Sequence, residues 1–404
     1  MKQLESYVNI AFLSTYPPRE CEIATFTEDL ITTMDHIGTV NTHVIAVSNI
    51  KGCLYDNKVM AEIRQNERSD YIEIAKKLNS SNIEILVIEH DYELYGGDQG
   101  EYILDLINNL EIPIVTTLHT ILSEPNPKQK QIIYELGQKS DKIITMARNT
   151  KEMLQTIYDV DADKIEFIHY GVPKKPFQSR EIIKKKCGYE NRRIISTFGH
   201  IEPGKGIEHG IEAVAKVIKG SNSSDVNIED NSDVLYLILG QTQTSLNEEG
   251  TAYRDKLMQL VNKLDISKNV KFVNKYLTRD EIIQYLQLSD IYMTPNIAKD
   301  QAVSGTLAYA VGYGKAIVST PYLYAQEMLS EGNGLLAEYS NSDSLADCLK
   351  QILKDPFKKA KMERNTLKIG RIMYWDKVAL RYINVLLGII TAAQADDTEI
   401  TVLQ

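Results

Sequence analysis

The sequence predicts an α/β protein made of two doubly wound, parallel-sheet domains. Three observations carry that expectation: short β-branched runs alternate with longer stretches of helical period, the alternation lapses once near the middle, and 404 residues exceed what one compact core holds. In the first half, strands are expected at Val8–Leu13, Thr42–Val47, Ile83–Ile88, Ile112–Leu118, Lys142–Thr145 and Ile165–Ile168. Helical stretches lie between them, at Phe26–Asp35, Gln99–Leu110 and Thr150–Ile157. The lapse covers Pro173–Arg193, a lysine- and arginine-rich segment with two prolines. A second series then places strands at Ile194–Phe198, Val234–Leu239, Val270–Phe272, Ile291–Thr294 and Ala316–Ser319. The expected divisions are therefore a first domain over 1–175, a basic linker over 176–193 and a second domain over 194–372. A final helix over 373–395 and a frayed tail over 396–404 complete the chain.

Composition narrows the function. With 45 Lys+Arg against 55 Asp+Glu the net charge is -10, the wrong sign for a protein that coats nucleic acid. The cysteines at 21, 53, 187 and 348 form no CxxC pair, which argues against a zinc ribbon or a disulfide framework and for a reducing compartment. No run reaches the roughly 20 apolar residues of a spanning helix, and the start MKQLESYVNIAF lacks a signal-peptide core. A cytoplasmic protein is expected, with any membrane contact peripheral at the inner face.

Open α/β domains bind ligands at the carboxyl ends of their strands, so the chemistry belongs in strand-to-helix loops. The strand at 194–198 runs into Gly199-His200-Ile201-Glu202-Pro203-Gly204-Lys205-Gly206 before a helix. Glycines admit a ligand to the backbone, helix amides offer donors, and Lys205 adds positive charge, which together suit a phosphate. The G-x4-G-K frame lacks the Ser or Thr that a Walker A motif needs for Mg²⁺, since Gly206 and Ile207 follow. A second cradle is expected where Thr294–Thr306 reaches Ser304-Gly305-Thr306 at a helix start, although a glycine turn and a simple N-cap are the plainer readings of these two loops. In the first domain, Ser14–Thr25 contains Arg19, Glu20 and Glu22, and Tyr95–Gly100 contains Gly96 and Gly97; the latter loop reads as a lid, an acceptor loop or a simple turn. His119 stands at a strand end, where an imidazole can bond a polar ligand, and it is one of seven histidines. Asp159, Asp161 and Asp163 imitate the start of an EF-hand loop, but Lys164 and Tyr170 occupy its glycine and glutamate positions.

These motifs resemble the GT-B glycosyltransferases of family 4, the group 1 glycosyl transferases. The resemblance runs through Tyr16–Thr27, Tyr95-Gly96-Gly97, Thr117–Thr120 and Gly171-Val172-Pro173. It continues through Thr197-Phe198-Gly199, Gly204-Lys205-Gly206, Ser304–Ala310 and Val318–Tyr322. It implies two Rossmann-like domains facing a central cleft, with the last helix, containing Trp375, crossing back to the first domain. It also implies a retaining transfer of a hexose from a nucleoside diphosphate sugar to a saccharide or glycolipid acceptor. By the same resemblance Lys205 meets the donor phosphates, the Ser304–Thr306 amides meet the diphosphate, His119 lies beside the transferred sugar and Glu327 near the nucleoside. No metal or other cofactor is implied, and no nucleic-acid partner.

The chain departs from the family pattern in places. Gln301 and Tyr309 stand where the broader family carries two glutamates, with Asp300 beside the first. His200 replaces an arginine, and Glu22 replaces a glycine of the first loop. These departures leave a second reading, a glycosyltransferase-like binding or scaffold protein with an eroded donor site.

Overall fold

In a computed structural model, residues 7–50, 52–220, 231–242 and 249–402 are described. The chain divides into two compact units, Met1–Pro173 with Met373–Gln404, and Lys174–Ile372.

The first unit runs β1 (Val8–Ser14), α1 (Glu22–Ile37), β2 (Val40–Ser48), β3 (Val59–Arg64), α2 (Arg68–Asn79), β4 (Ile85–His90), α3 (Ile103–Asn108) and β5 (Ile114–Leu118). It continues with α4 (Pro127–Lys139), β6 (Lys142–Thr145), α5 (Thr150–Thr156) and β7 (Ile165–Phe167). Among the described residues its sheet has the order β3-β2-β1-β4-β5-β6-β7, with every pairing parallel. Strands covered on both faces must be apolar throughout, and Ile10–Leu13 and Ile85–Ile88 are accordingly buried. Strand β3 escapes the sequence reading because it is an edge strand whose only buried side chain is Ile63. Helix α3 begins four residues later than expected, because left-handed residues at Gly97, Gln99 and Gly100 hold Asp98–Gly100 in a separate 3-10 turn.

The second unit runs α6 (Arg180–Cys187), β8 (Arg193–Phe198), α7 (Ile207–Lys219), β9 (Val234–Leu239), α8 (Glu249–Lys263), β10 (Val270–Val273), α9 (Arg279–Leu288) and β11 (Ile291–Thr294). After these come α10 (Gly305–Gly312), β12 (Ala316–Ser319), α11 (Leu323–Met328), β13 (Leu335–Leu336), α12 (Ser342–Lys354) and α13 (Pro356–Met373). Its sheet order, β10-β9-β8-β11-β12-β13, again reverses direction next to its first strand. Both units therefore have the switch point at which doubly wound sheets bind ligands, between β1 and β4 and between β8 and β11.

The segment 176–193 is not a linker. It carries α6, and the unit boundary falls at Pro173. Lys184 donates to Asp290 at 2.6 Å, and the same carboxylate accepts the Ile194 amide at 2.8 Å, so the basic run is anchored to the start of the sheet. Ile183 adds its side chain to a small apolar cluster with Ile194 and Leu237.

Helix α14 (Trp375–Val402) belongs to the first unit. The segment read as a tail over 396–404 is helical as far as Val402, and 403–404 lie outside the described residues. Trp375–Ala395 also corrects the reading that no run is long enough to span a bilayer: by length and composition this stretch is, with mean hydropathy 1.5. Its apolar face is spent on the first unit. Val378, Ala379, Tyr382, Ile383, Leu386 and Ile390 recur at helical spacing and are buried, and Tyr382 shares a hydrogen bond with Thr117 at 3.2 Å. At the head of α14, the Trp375 amide bonds to the Val172 carbonyl at 3.1 Å, and the indole covers Gly171.

A Cβ on Gly171 would stand 2.2 Å from the Trp375 ring. Gly171→Ala is therefore expected to cost about 1 to 3 kcal/mol through overpacking, read as a lower urea midpoint; an unchanged midpoint would show that the indole is free to move.

Candidate active site

In the second unit, the chain leaving β8 turns through Gly199–Gly206 into α7, and the chain leaving β11 turns through Pro295–Val303 into α10. Right-handed crossovers carry these two connections to opposite sides of the sheet, so their loops diverge from one switch point. The loops touch there. The Ile297 amide donates to the Gly204 carbonyl at 2.9 Å. Gly206 has φ +63, and a Cβ on it would lie 2.1 Å from the Pro295 carbonyl oxygen, so only glycine fits. A Cβ on Gly199 would come to 3.5 Å from the Thr306 methyl, which brings the start of the first loop against the second cradle. Strand β8 is itself tied to β11, because Thr197 donates to the Met293 carbonyl at 2.6 Å.

The side chains around this junction differ in what they can do. Helix α7 starts at Gly206 with no side-chain cap, which leaves first-turn amides for a ligand. Lys205 is partly exposed, with Nζ 3.3 Å from Glu202 Oε1, and His200 is exposed. Ser304 is buried and caps α10, accepting the Leu307 amide at 3.3 Å, while its hydroxyl lies 3.2 Å from that of Thr306. Gly305 is buried under them. Asp300 is exposed, and Gln301 accepts a hydrogen bond from Asn296. Asn296 in turn accepts a hydrogen bond from Thr320 on its carbonyl, and the Tyr324 amide bonds to the Gln301 carbonyl at 3.1 Å. The second loop is thereby fastened to the segment that carries Glu327, which is partly buried on α11. Tyr309 is 8% exposed, and its ring packs 6.4 Å from that of Phe198.

In the first unit, His119 Nε2 lies 2.8 Å from Glu89 Oε2, with side chains 7% and 0% exposed. The Phe26 ring meets His119 at 4.9 Å, Trp375 at 5.0 Å and Tyr170 at 5.2 Å, so one phenyl joins the ends of β5, β7 and α14. Glu22 stands in the first turn of α1 and accepts from the Tyr170 hydroxyl at 3.1 Å. Its carboxylate thus has a partner in this unit and a place beside the positive end of α1. Arg19 bonds to the Val47 carbonyl at 3.4 Å and to Gln65 at 3.3 Å, which makes it a brace between strands; Glu20 is exposed. The loop Tyr95–Gly100 is a packed turn in this structure. A Cβ on Gly96 would lie 2.0 Å from the Gln65 carbonyl oxygen, and one on Gly97 would meet the Tyr102 ring.

Sequence reasoning missed Glu89 and His90, just beyond the apolar run assigned to β4. The signal was present, because a carboxylate inside a two-face-buried strand requires a partner. His90 is fully buried, stacks on Tyr95 at 6.0 Å, and neither ring nitrogen has a partner among the described residues. Burial drives its pKa down to about 4, with the charge of His119 acting in the same direction and Asp91 opposing it. His169 is likewise lowered to about 4, by burial and then by Arg148 and Arg381. Among the described residues no three His, Cys, Asp or Glu side chains gather to hold a metal ion.

The family model described as "Glycosyl transferases group 1" matches residues 178–369, and that described as "Glycosyltransferase Family 4" matches residues 75–175. An uncharacterised glycosyltransferase of Methanocaldococcus jannaschii is 22% identical over 290 residues, covering 68% of this chain and 69% of that protein. The D-inositol 3-phosphate glycosyltransferase of Mycobacterium sp. (strain KMS) is 23% identical over 215 residues, covering 50% of this chain and 45% of that protein. The match thus spans less than half the length of the second relative. The crystal structure of Anabaena HepE in complex with UDP and glucose superposes with a TM-score of 0.73 at 14% identity, over 95% of this chain and 100% of that one. At that identity it shows the fold, GT-B.

Because the unfolded chain takes up protons on His90 near pH 6.5 and the folded one only near 4, the stability due to its neutral form is lost as pH falls between those values. His90→Leu removes no hydrogen bond and is expected to flatten that acid limb by up to about 3 kcal/mol in urea titrations run at several pH values. An acid limb as steep as that of the wild type would refute the assignment.

Proposed function

Because the chain is a glycosyltransferase of the family 4 type with the GT-B fold, we propose that it transfers a hexose, with retention, from a nucleoside diphosphate sugar to a saccharide or glycolipid acceptor. One observation carries this reading: two glycine-containing loops, each leading into a helix N-terminus, meet at the β8–β11 switch point. Such a junction offers backbone donors from two directions, the arrangement a diphosphate needs. In this reading the α7 amides and Lys205 hold one phosphoryl group, and the Ser304–Thr306 cradle holds the other. Lys205 gives up Glu202 for the ligand, exchanging a partly exposed ion pair for a charge-assisted bond to phosphate. UDP is the first nucleotide to test, since the HepE structure contains it.

The reaction breaks the bond between the anomeric carbon and the distal phosphate oxygen. The acceptor hydroxyl forms its bond to that carbon on the same face, and its proton passes to the departing phosphate oxygen. Negative charge grows on the diphosphate as the bond breaks, so Lys205 and the fixed amides stabilise the transition state more than the ground state. The proposal requires no metal. His119, held by Glu89, is assigned to the sugar: a donated Nε2–H to Glu89 leaves Nδ1 as an acceptor for a hydroxyl, and a protonated ring is a donor on both nitrogens.

A second reading has an observation of its own in favour. Tyr309 is buried where the family resemblance places a glutamate, and Gln301 is engaged by Asn296, so these two positions offer a ribose little. A non-catalytic binder of a sugar or partner would follow if the nucleotide site is empty of function. A thermal-shift screen with UDP, GDP, ADP and their sugars separates the two. A nucleotide at 100 times its dissociation constant is expected to stabilise the wild type by about 2.7 kcal/mol, with the shift lost in Lys205→Ala. If no nucleotide moves the melting point and no sugar nucleotide is consumed, the transferase mechanism set out above fails and the binding reading stands.

A further inference from the structure

The opposite end of the second unit's central strands holds a cavity of about 370 Å³, lined by Phe177, Arg180, Gln287, Tyr313, Lys315 and Arg364 among others. Lys315 immediately precedes β12, and Gln287 lies just ahead of β11, so the cavity sits at the amino ends of strands whose carboxyl ends carry the candidate donor loops. Helix α10 separates the two places. Its eight residues span about 12 Å at 1.5 Å per residue.

The charges here do not cancel. Asp290 accepts Lys184 at 2.6 Å and faces Arg180 at 3.4 Å, while Glu363 accepts Arg180 at 2.7 Å and Lys359 at 2.8 Å. Those three cations already outnumber the two carboxylates, Arg364 adds to the excess, and Lys315 adds to it when protonated. Lys315 is 3% exposed, its Nζ donates to the Ser289 carbonyl at 3.1 Å, and it pairs with no carboxylate among the described residues. Burial first, and then the nearby Arg180, lower its pKa to about 7. Nε of Arg180 is buried with no hydrogen-bond partner among the described residues. Unsatisfied donors and surplus positive charge around a space this large are costly for a purely structural core and are relieved by an anion. On one wall the half-exposed Phe177 ring lies 6.1 Å from that of Tyr313, giving the cavity an apolar side.

We propose that this cavity is a second ligand site, taking a small phosphate monoester whose dianion balances Arg180, Lys315 and Arg364 and whose carbon skeleton lies on Phe177 and Tyr313. Arginine forks suit the planar pairs of phosphate oxygens, and a dianion matches an excess of two or more positive charges better than a monocarboxylate does.

Isothermal titration calorimetry on the full chain, with glycerol 3-phosphate as the probe, tests this. Arg364 is exposed, so Arg364→Gln leaves the fold in place, and Lys205→Ala removes the lysine of the other phosphate-binding candidate. Binding is expected to persist in Lys205→Ala and to weaken at least about tenfold, or roughly 1.4 kcal/mol, in Arg364→Gln. Inorganic phosphate is expected to bind more weakly than the ester, and acetate not at all. No binding up to roughly 20 mM, wild-type affinity in Arg364→Gln, or loss in Lys205→Ala overturns the proposal. Equal affinity for inorganic phosphate overturns the assignment to an ester.

Discussion

The second unit turns on a backbone-to-backbone contact a few ångströms wide, where Gly206 passes the Pro295 carbonyl. There the left-handed backbone of Gly206 and the absence of a side chain let the loop after β8 lie against the loop after β11, with the Ile297 amide bonded to Gly204. Neighbouring parallel strands make the approach possible, since β8 and β11 are side by side only because the sheet reverses its winding there. Two helix starts are thus presented at one junction without any ionised side chain being buried. In the proposed reading, Lys205, Ser304 and Thr306 then refine a phosphate site whose main donors are amides.

The first unit builds its polar centre differently. Glu89 and His119 form a nearly dry pair against the Phe26 ring, which packs in turn on Tyr170 and Trp375. In such surroundings a hydrogen bond is stronger than in water, and its loss costs more. Helix α14 carries Trp375, so the packing of Phe26, and through it that of His119, draws on a residue more than 250 positions from His119 in sequence. The Trp375 ring over Gly171 and the Tyr382 hydroxyl at Thr117 are the contacts that fasten it.

Much of this was legible in the residues. The fully buried strands announced themselves as continuous apolar runs, and the loop Gly199–Gly206 declared its glycines and lysine together. Other features were hidden for physical reasons. Strand β3 buries only Ile63, so it carries no apolar run to read. The basic segment before β8 looked solvated because the acid that anchors it, Asp290, lies about a hundred residues downstream. Tyr309 offered no sign of its burial, since a tyrosine in a helix's first turns serves equally as core or as ligand. Arg19 and the glycines at 96 and 97 also have packing roles that their sequence does not announce: Arg19 bonds to Gln65, Gly96 lies against the Gln65 carbonyl and Gly97 against the Tyr102 ring.

The central claim is that a diphosphate sits at the β8–β11 junction, and hydrogen exchange with and without saturating UDP tests it most directly. Amides of Gly199–Ile207 and Ser304–Leu307 are expected to slow together when UDP binds, because both loops donate to the same ligand. Protection confined to other segments, or binding of UDP that leaves both loops exchanging as before, would contradict it.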